Sequence, residues 1–220
     1  MRSQTMNTDQ KPAGYFTNLR PEMAALLPPK AKTILDVGCG QGIFSENFSE
    51  QKDLEIWGIE INKEEAAEAQ KKMFRVINHD AIRALPEIPD KKFDAIFCND
   101  VLEHLVDPYT FLSLVKNKLN SGGVVIASIP NVRYLNNFIN FVFKREWKYE
   151  DSGILDRTHL RFFTQKSMRR MFEEAGYEIV SMNGINGYTS SWKFRLLNLI
   201  TLRLISDTQF LQFAIVAKAK

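Results

Sequence analysis

The stretch Lys32-Thr33-Ile34-Leu35-Asp36-Val37-Gly38-Cys39-Gly40-Gln41-Gly42-Ile43-Phe44-Ser45 decides how the rest of the chain is read. An apolar run (Ile34, Leu35, Val37) ends at Gly38, Gly40 and Gly42, and an apolar-periodic segment (Ile43, Phe44, Phe48) follows at once. Strand, glycine turn and helix in that order open a doubly wound α/β sheet. Glycines at alternate positions let the backbone turn sharply and approach a ligand, because no Cβ intervenes. The dinucleotide fingerprint G-x-G-x-x-G needs a third glycine at position 43, where this chain has Ile43. The spacing is instead G-x-G-x-G, with Asp36 two residues before the first glycine. A carboxylate at a strand end suits a ligand with a cationic group better than it suits a pyrophosphate. That argues against a nicotinamide-dependent oxidoreductase.

The run I-L-D-V-G-C-G-Q-G resembles motif I of the class I S-adenosylmethionine-dependent methyltransferases, and further matches follow downstream in the right order. The resemblance covers roughly residues 19–218, with its specific motifs in the first 130 or so. It implies an α/β fold with a doubly wound, mostly parallel seven-stranded sheet in the order 3-2-1-4-5-7-6. The last strand would be antiparallel, helices would cover both faces, and a lid insertion would follow strand five. The implied cofactor is S-adenosyl-L-methionine, with S-adenosyl-L-homocysteine as product, and the expected acceptor atom is oxygen.

Length, charge and cysteine usage bound the alternatives. At 220 residues the chain is read as a single domain, 1–220, whose polar first 14 residues are expected to be flexible. A net charge of +3 gives no global reason for a nucleic-acid partner. Cys39 and Cys98 are too few and too isolated for a disulfide framework or a zinc site. No apolar run approaches the ~20 residues of a membrane span, and the N-terminus lacks a signal-peptide core. A cytoplasmic protein is the expectation.

Candidate site residues follow along the chain. Arg20-Pro21 opens a short helix with Leu19, Met23, Leu26 and Leu27 on one face, placed either to cover the cofactor or only to cap the sheet. The second strand ends at Glu60, 22 residues after Gly38, close to the ~20-residue offset at which an acid meets ribose hydroxyls in doubly wound folds. Ile61 lies beside it, and Asn62 caps the next helix. By resemblance Asp80 takes the adenine amine with the Ala81 backbone beside the ring. Helix capping by Asp80 is a compatible reading. The cofactor set is thus Asp36, Gly38, Cys39, Gly40, Glu60, Ile61, Asp80, Ala81 and Asn99.

The fourth strand runs into N-D-V-L-E-H-L-V-D-P, where Asp100, Glu103 and His104 fall at i, i+3 and i+4, one face of a helical turn. The pattern is similar to the E-x-x-E-H metal-ligand set of ubiquinone-biosynthesis O-methyltransferases and of small-RNA 3′-end 2′-O-methyltransferases, with Asp100 in place of the first Glu. That makes Glu103 and His104 candidate ligands for a divalent metal. The alternative is a His that only packs near the cofactor.

After an amphipathic helix over 109–119 and a fifth strand over 124–129, the segment 131–170 is where an acceptor should be read. It holds nine Lys and Arg against four Asp and Glu, with Phe138, Phe141, Phe143, Trp147, Tyr149, Phe162 and Phe163 interleaved. As a long insertion after strand five it is placed to form a lid. Within it, G-I-L-D-R-T-H-L-R-F-F-T resembles a segment of polysaccharide-cluster methyltransferases. His159 there could accept a hydroxyl proton, join Glu103 and His104 on a metal, or only anchor the loop.

Thr164 caps a helix over 167–175, and the last strands are 177–182 and 210–217. Between them Trp192 to Leu204 is strongly apolar, with Lys193, Arg195 and Arg203. It would lie on a membrane surface, cover a lipid-linked substrate, or pack on the lid. Small-molecule, sugar, lipid-linked and RNA acceptors all stay open, as does a cofactor-binding module without turnover.

Overall fold

The structure, a computed structural model, describes residues 19–188 and 192–220. The expectation for residues 1–14 lies outside that range. Seven strands form one sheet: β1 (Thr33–Val37), β2 (Glu55–Glu60), β3 (Arg75–Asn78), β4 (Phe93–Asn99), β5 (Leu119–Pro130), β6 (Tyr177–Ile185) and β7 (Gln212–Ala219). Their order is β3-β2-β1-β4-β5-β7-β6, as the motif order implied. β1 pairs in parallel with β2 and β4, whereas β7 runs antiparallel to both β5 and β6.

The strands are apolar almost throughout because both faces are covered. Side-chain alternation divides them. Leu35, Val37, Trp57, Ile59, Ile96, Cys98, Ala127 and Ile215 join one core with Phe111, Leu112 and Phe172. Ile34, Ile56, Phe97, Ile126 and Val216 join the other with Met23, Phe44 and Phe48. Among the described residues the α-helices are α1 (Pro21–Ala24), α2 (Lys63–Ala69), α3 (Ala81–Ala84), α4 (Pro108–Val115), α5 (Leu135–Val142), α6 (Gln165–Glu174) and α7 (Trp192–Ile200), with short 3₁₀ runs between elements. Among the described residues no helix is long and apolar enough to cross a membrane.

Local chemistry sets the element ends. Asn62 caps α2 by accepting from the Glu65 amide at 3.1 Å, and Thr164 and Ser167 cap α6 reciprocally. Three expectations are corrected. The segment after the glycine turn is a 3₁₀ run, Phe44–Phe48, and not a full helix. The fifth strand begins at Leu119, and its register with β4 shifts between Phe93 and Ala95. Gly123 permits that irregularity: a Cβ there would meet the Phe93 carbonyl oxygen at 2.7 Å. Finally, Met23, Leu26 and Leu27 pack on the core as the apolar face of the first helix, but Leu19 is exposed and Arg20 beside it is buried.

Candidate active site

The carboxy ends of β1, β2 and β4 open into a cleft of about 380 Å³. The sharp exit from β1 makes its floor. Gly38 sits at φ 70°, and a Cβ there would strike Val101 Cγ2 at 2.9 Å, so only glycine fits. The Gly38 and Cys39 amides both donate to the Ile59 carbonyl, at 2.8 and 3.1 Å, and tie this turn to the end of β2. Every residue expected in the cofactor set lines the cleft: Asp36, Gly38, Cys39, Gly40, Glu60, Ile61, Asp80, Ala81 and Asn99.

Among the described residues Asp36 and Glu60 have no ion-pair partner. Asp36 is buried and its Oδ2 has no hydrogen-bond partner. Burial, with the Glu60 charge second, pushes its carboxyl up to about 8. Burial also raises Glu60, opposed by the amides of Asn62 and Gly40 that donate to it at 2.8 and 2.9 Å. Among the described residues neither polar side-chain atom of Asn99 has a hydrogen-bond partner, and both are buried. Buried polar atoms left unpaired at the rim of a cleft fit a ligand that supplies donors and positive charge. S-adenosylmethionine, with its ammonium, sulfonium and ribose hydroxyls, matches that donor set. Asp80 caps α3, accepting from the Ile82 and Arg83 amides at 3.0 and 3.3 Å, while it lines the cleft.

The opposite wall comes from the turn after β4 and from the segment following α5. Leu102–His104 is a short 3₁₀ turn, and the Glu103 carbonyl accepts from the Leu160 and Arg161 amides at 2.9 and 3.0 Å. Those two bonds bring His159 to His104, with ring centroids 4.7 Å apart and planes at 77°. His104 Nδ1 lies 3.1 Å from the Thr158 carbonyl oxygen and His159 Nδ1 lies 2.9 Å from that of Ile154. A carbonyl only accepts, so each Nδ1 carries the proton and Nε2 is the basic nitrogen of each neutral ring. Glu103 is buried, both of its oxygens lack hydrogen bonds among the described residues, and its Oε1 lies 4.0 Å from His159 Nε2. Burial, reinforced by Asp100, holds its carboxyl well above the ordinary range. Glu103, His104 and His159 each offer a ligand atom, all within 4.8 Å of one another.

Asp100 is not part of that cluster. It adopts φ 55°, which breaks the helical spacing expected to align it with Glu103 and His104. Its carboxylate instead pairs with Arg20 and accepts from Ser128 Oγ at 2.9 Å and Gln212 Nε2 at 2.6 Å. Burial alone would lower the Arg20 guanidinium, but Asp100 and Glu22 outweigh it and raise it. Arg20, which opens the helix expected either to cover the cofactor or to cap the sheet, lines the cleft, and so does Gln212, which no motif singled out. The lid aromatics pack largely on one another and on the core. Phe141, Trp147 and Phe162 stack edge-on in series at 5.7 and 5.2 Å, and Phe163 enters the core. None of them lines the cleft; Gly153, Ile154, Thr158 and His159 do.

The fold and this glycine-turn cleft define an S-adenosylmethionine-dependent methyltransferase of the seven-stranded class. A family model described as "Methyltransferase domain" matches residues 13–182, and the chain belongs to that family. Among curated proteins it is similar to the ubiquinone biosynthesis O-methyltransferase of Aeromonas salmonicida, 29% identical over 178 residues that cover 75% of this chain and 71% of the relative. The protein of that name from Cereibacter sphaeroides is 27% identical over 185 residues, 80% of this chain and 72% of the relative. Among solved structures, a SAM-dependent methyltransferase from Archaeoglobus fulgidus shares the fold with TM-score 0.64 and 24% identity, covering 91% of this chain and 94% of that one. One from Aquifex aeolicus has TM-score 0.62 at 14% identity, covering 96% and 94%.

Proposed function

We propose that the chain transfers a methyl group to an oxygen of a small-molecule acceptor, with His159 as the proton-accepting base and His104 beside it. The observation that carries this reading is the meeting of the two imidazoles across one cleft from segments 55 residues apart in sequence. Asp36, Gly38, Gly40, Glu60, Ile61, Asp80, Ala81 and Asn99 would hold the cofactor, with Cys39 packed under the glycine turn. S-adenosylmethionine, when bound, supplies an electrophilic methyl on an activated sulfonium leaving group. The protein's share is therefore alignment, exclusion of water and removal of one hydroxyl proton. His159 Nε2 takes that proton, while its Nδ1–H stays on the Ile154 carbonyl oxygen and holds the ring in place. The curated relatives named as O-methyltransferases support oxygen as the acceptor atom.

A divalent metal on Glu103, His104 and His159 is the second reading, favoured by their converging ligand atoms and by a buried carboxyl with no hydrogen-bond partner. Both histidines anchor Nδ1 on backbone carbonyls, the arrangement that orients imidazole ligands at metal sites. Assay of S-adenosylhomocysteine release against phenols, sugars and lipid-linked phenols, with and without chelator, tests both readings. A base works in chelator and a metal site does not. Turnover of none of these acceptors, with transfer to a nitrogen or carbon acceptor instead, would overturn the oxygen assignment.

A further inference from the structure

Helix α7 buries one residue, Phe194, and exposes nearly everything else. Trp192, Leu199 and Ile200 are 70%, 66% and 68% exposed, and Leu202 just beyond is 85% exposed. A short helix that is apolar on its solvent side loses free energy in water unless something covers that side. A second exposed apolar run lies at the end of α5, Phe141, Val142 and Phe143, with Phe143 exposed by 73%. The segment leading into α5 is tied to the segment that follows α7. Arg133, just before α5, donates to the Leu204 carbonyl oxygen at 2.6 Å and pairs with Asp207 at 3.0 Å. Both leave the rim of the cleft, since Pro130 before α5 and Leu211 and Gln212 after α7 line it.

Charge decides what covers this face. Residues 143–149 and 192–205 carry six cations (Lys144, Arg145, Lys148, Lys193, Arg195 and Arg203) against one acid, Glu146. All six cations are exposed, and the rest of the chain is left at net −2. Large aliphatic and aromatic side chains bordered by Lys and Arg match the boundary of an anionic bilayer. There apolar groups enter the acyl region while long cationic side chains reach the headgroups. A second protein copy presenting this same face would bring like charges together.

We propose that α7 and the end of α5 form a docking face for an anionic lipid bilayer, which holds the rim of the cleft against the membrane surface. Docking is independent of the methyl-transfer reading and is measured without turnover, so either can fail alone. The test is flotation of the full chain with vesicles of phosphatidylcholine, with and without phosphatidylglycerol. Binding is expected to phosphatidylglycerol vesicles, to weaken at high salt, and to fall at least about tenfold in a Leu199→Ser/Ile200→Ser variant and in a Lys193→Glu/Arg195→Glu variant. Both variants should keep the parent's melting temperature and cofactor affinity. Failure of the parent to float with either vesicle, or variants that float as the parent does, overturns the proposal. A dimer in sedimentation equilibrium that Leu199→Ser/Ile200→Ser dissolves, without vesicle binding, overturns it too and assigns the face to a second copy.

Discussion

The Glu60 carboxylate reaches from the end of β2 to the glycine turn after β1, where its Oε2 accepts from the Gly40 amide at 2.9 Å. Its other oxygen accepts from the Asn62 amide at 2.8 Å. One acid thus fixes both the turn and the start of the next helix while lining the cleft. Glu60→Ala leaves two amides without an acceptor and removes a charged partner for ligand hydroxyls. Calorimetry should show S-adenosylmethionine binding weakened by roughly 1–3 kcal/mol. Glu60→Gln, which keeps an acceptor, should lose less.

Asp36 makes stability depend on pH in the absence of cofactor. Its folded-state carboxyl is raised to about 8 from 3.8, so between those values the folded chain holds a proton that the unfolded chain has released. Stability should therefore fall as pH rises through that window, by up to about 1.4 kcal/mol per pH unit. Thermal melts across the window should show the slope, and Asp36→Asn should flatten it. Saturating S-adenosylmethionine should also reduce it, because a cationic ligand favours the ionised carboxylate.

The motif residues were legible in sequence because their partners are local. Asp36 to Gly42 is one strand end and turn, and Glu60 meets it through the parallel β1–β2 pairing that the glycine spacing already implied. The approach of His159 to His104 was expected from the placing of the segment after strand five. What was not legible rests on long-range or torsional facts. Arg20 is buried by a partner 80 residues away, and nothing around Leu19-Arg20-Pro21 signals it. Asp100 left its expected cluster because its backbone is left-handed, which residue spacing does not reveal. The mutual packing of Phe141, Trp147 and Phe162 in the lid rests on contacts that composition alone does not reveal.

Arg20 anchors the N-terminal helix to the cleft. Arg20→Met removes the ion pair with Asp100 and the 3.2 Å bond to Gln212 Oε1. Denaturant unfolding should show a loss of about 2–3 kcal/mol, at the low end for a buried pair because Ser128 and Gln212 still donate to Asp100.

Asp156 shapes the turn that presents His159. Its Oδ1 accepts from the Thr158 amide at 2.8 Å and from Thr158 Oγ1 at 2.7 Å. Asp156→Ala should lower turnover more than tenfold, as expected when a positioned group drifts, with cofactor affinity unchanged. Equal losses in turnover and cofactor binding would place its role elsewhere.

The most direct measurement compares turnover of the parent and His159→Ala on an accepted hydroxyl substrate, in the presence of chelator. With His159 as the base, the parent stays active, its rate rises with pH as the imidazole becomes neutral, and the variant is about 10²–10⁴-fold slower at unchanged cofactor affinity. A variant as fast as the parent in chelator would contradict the account.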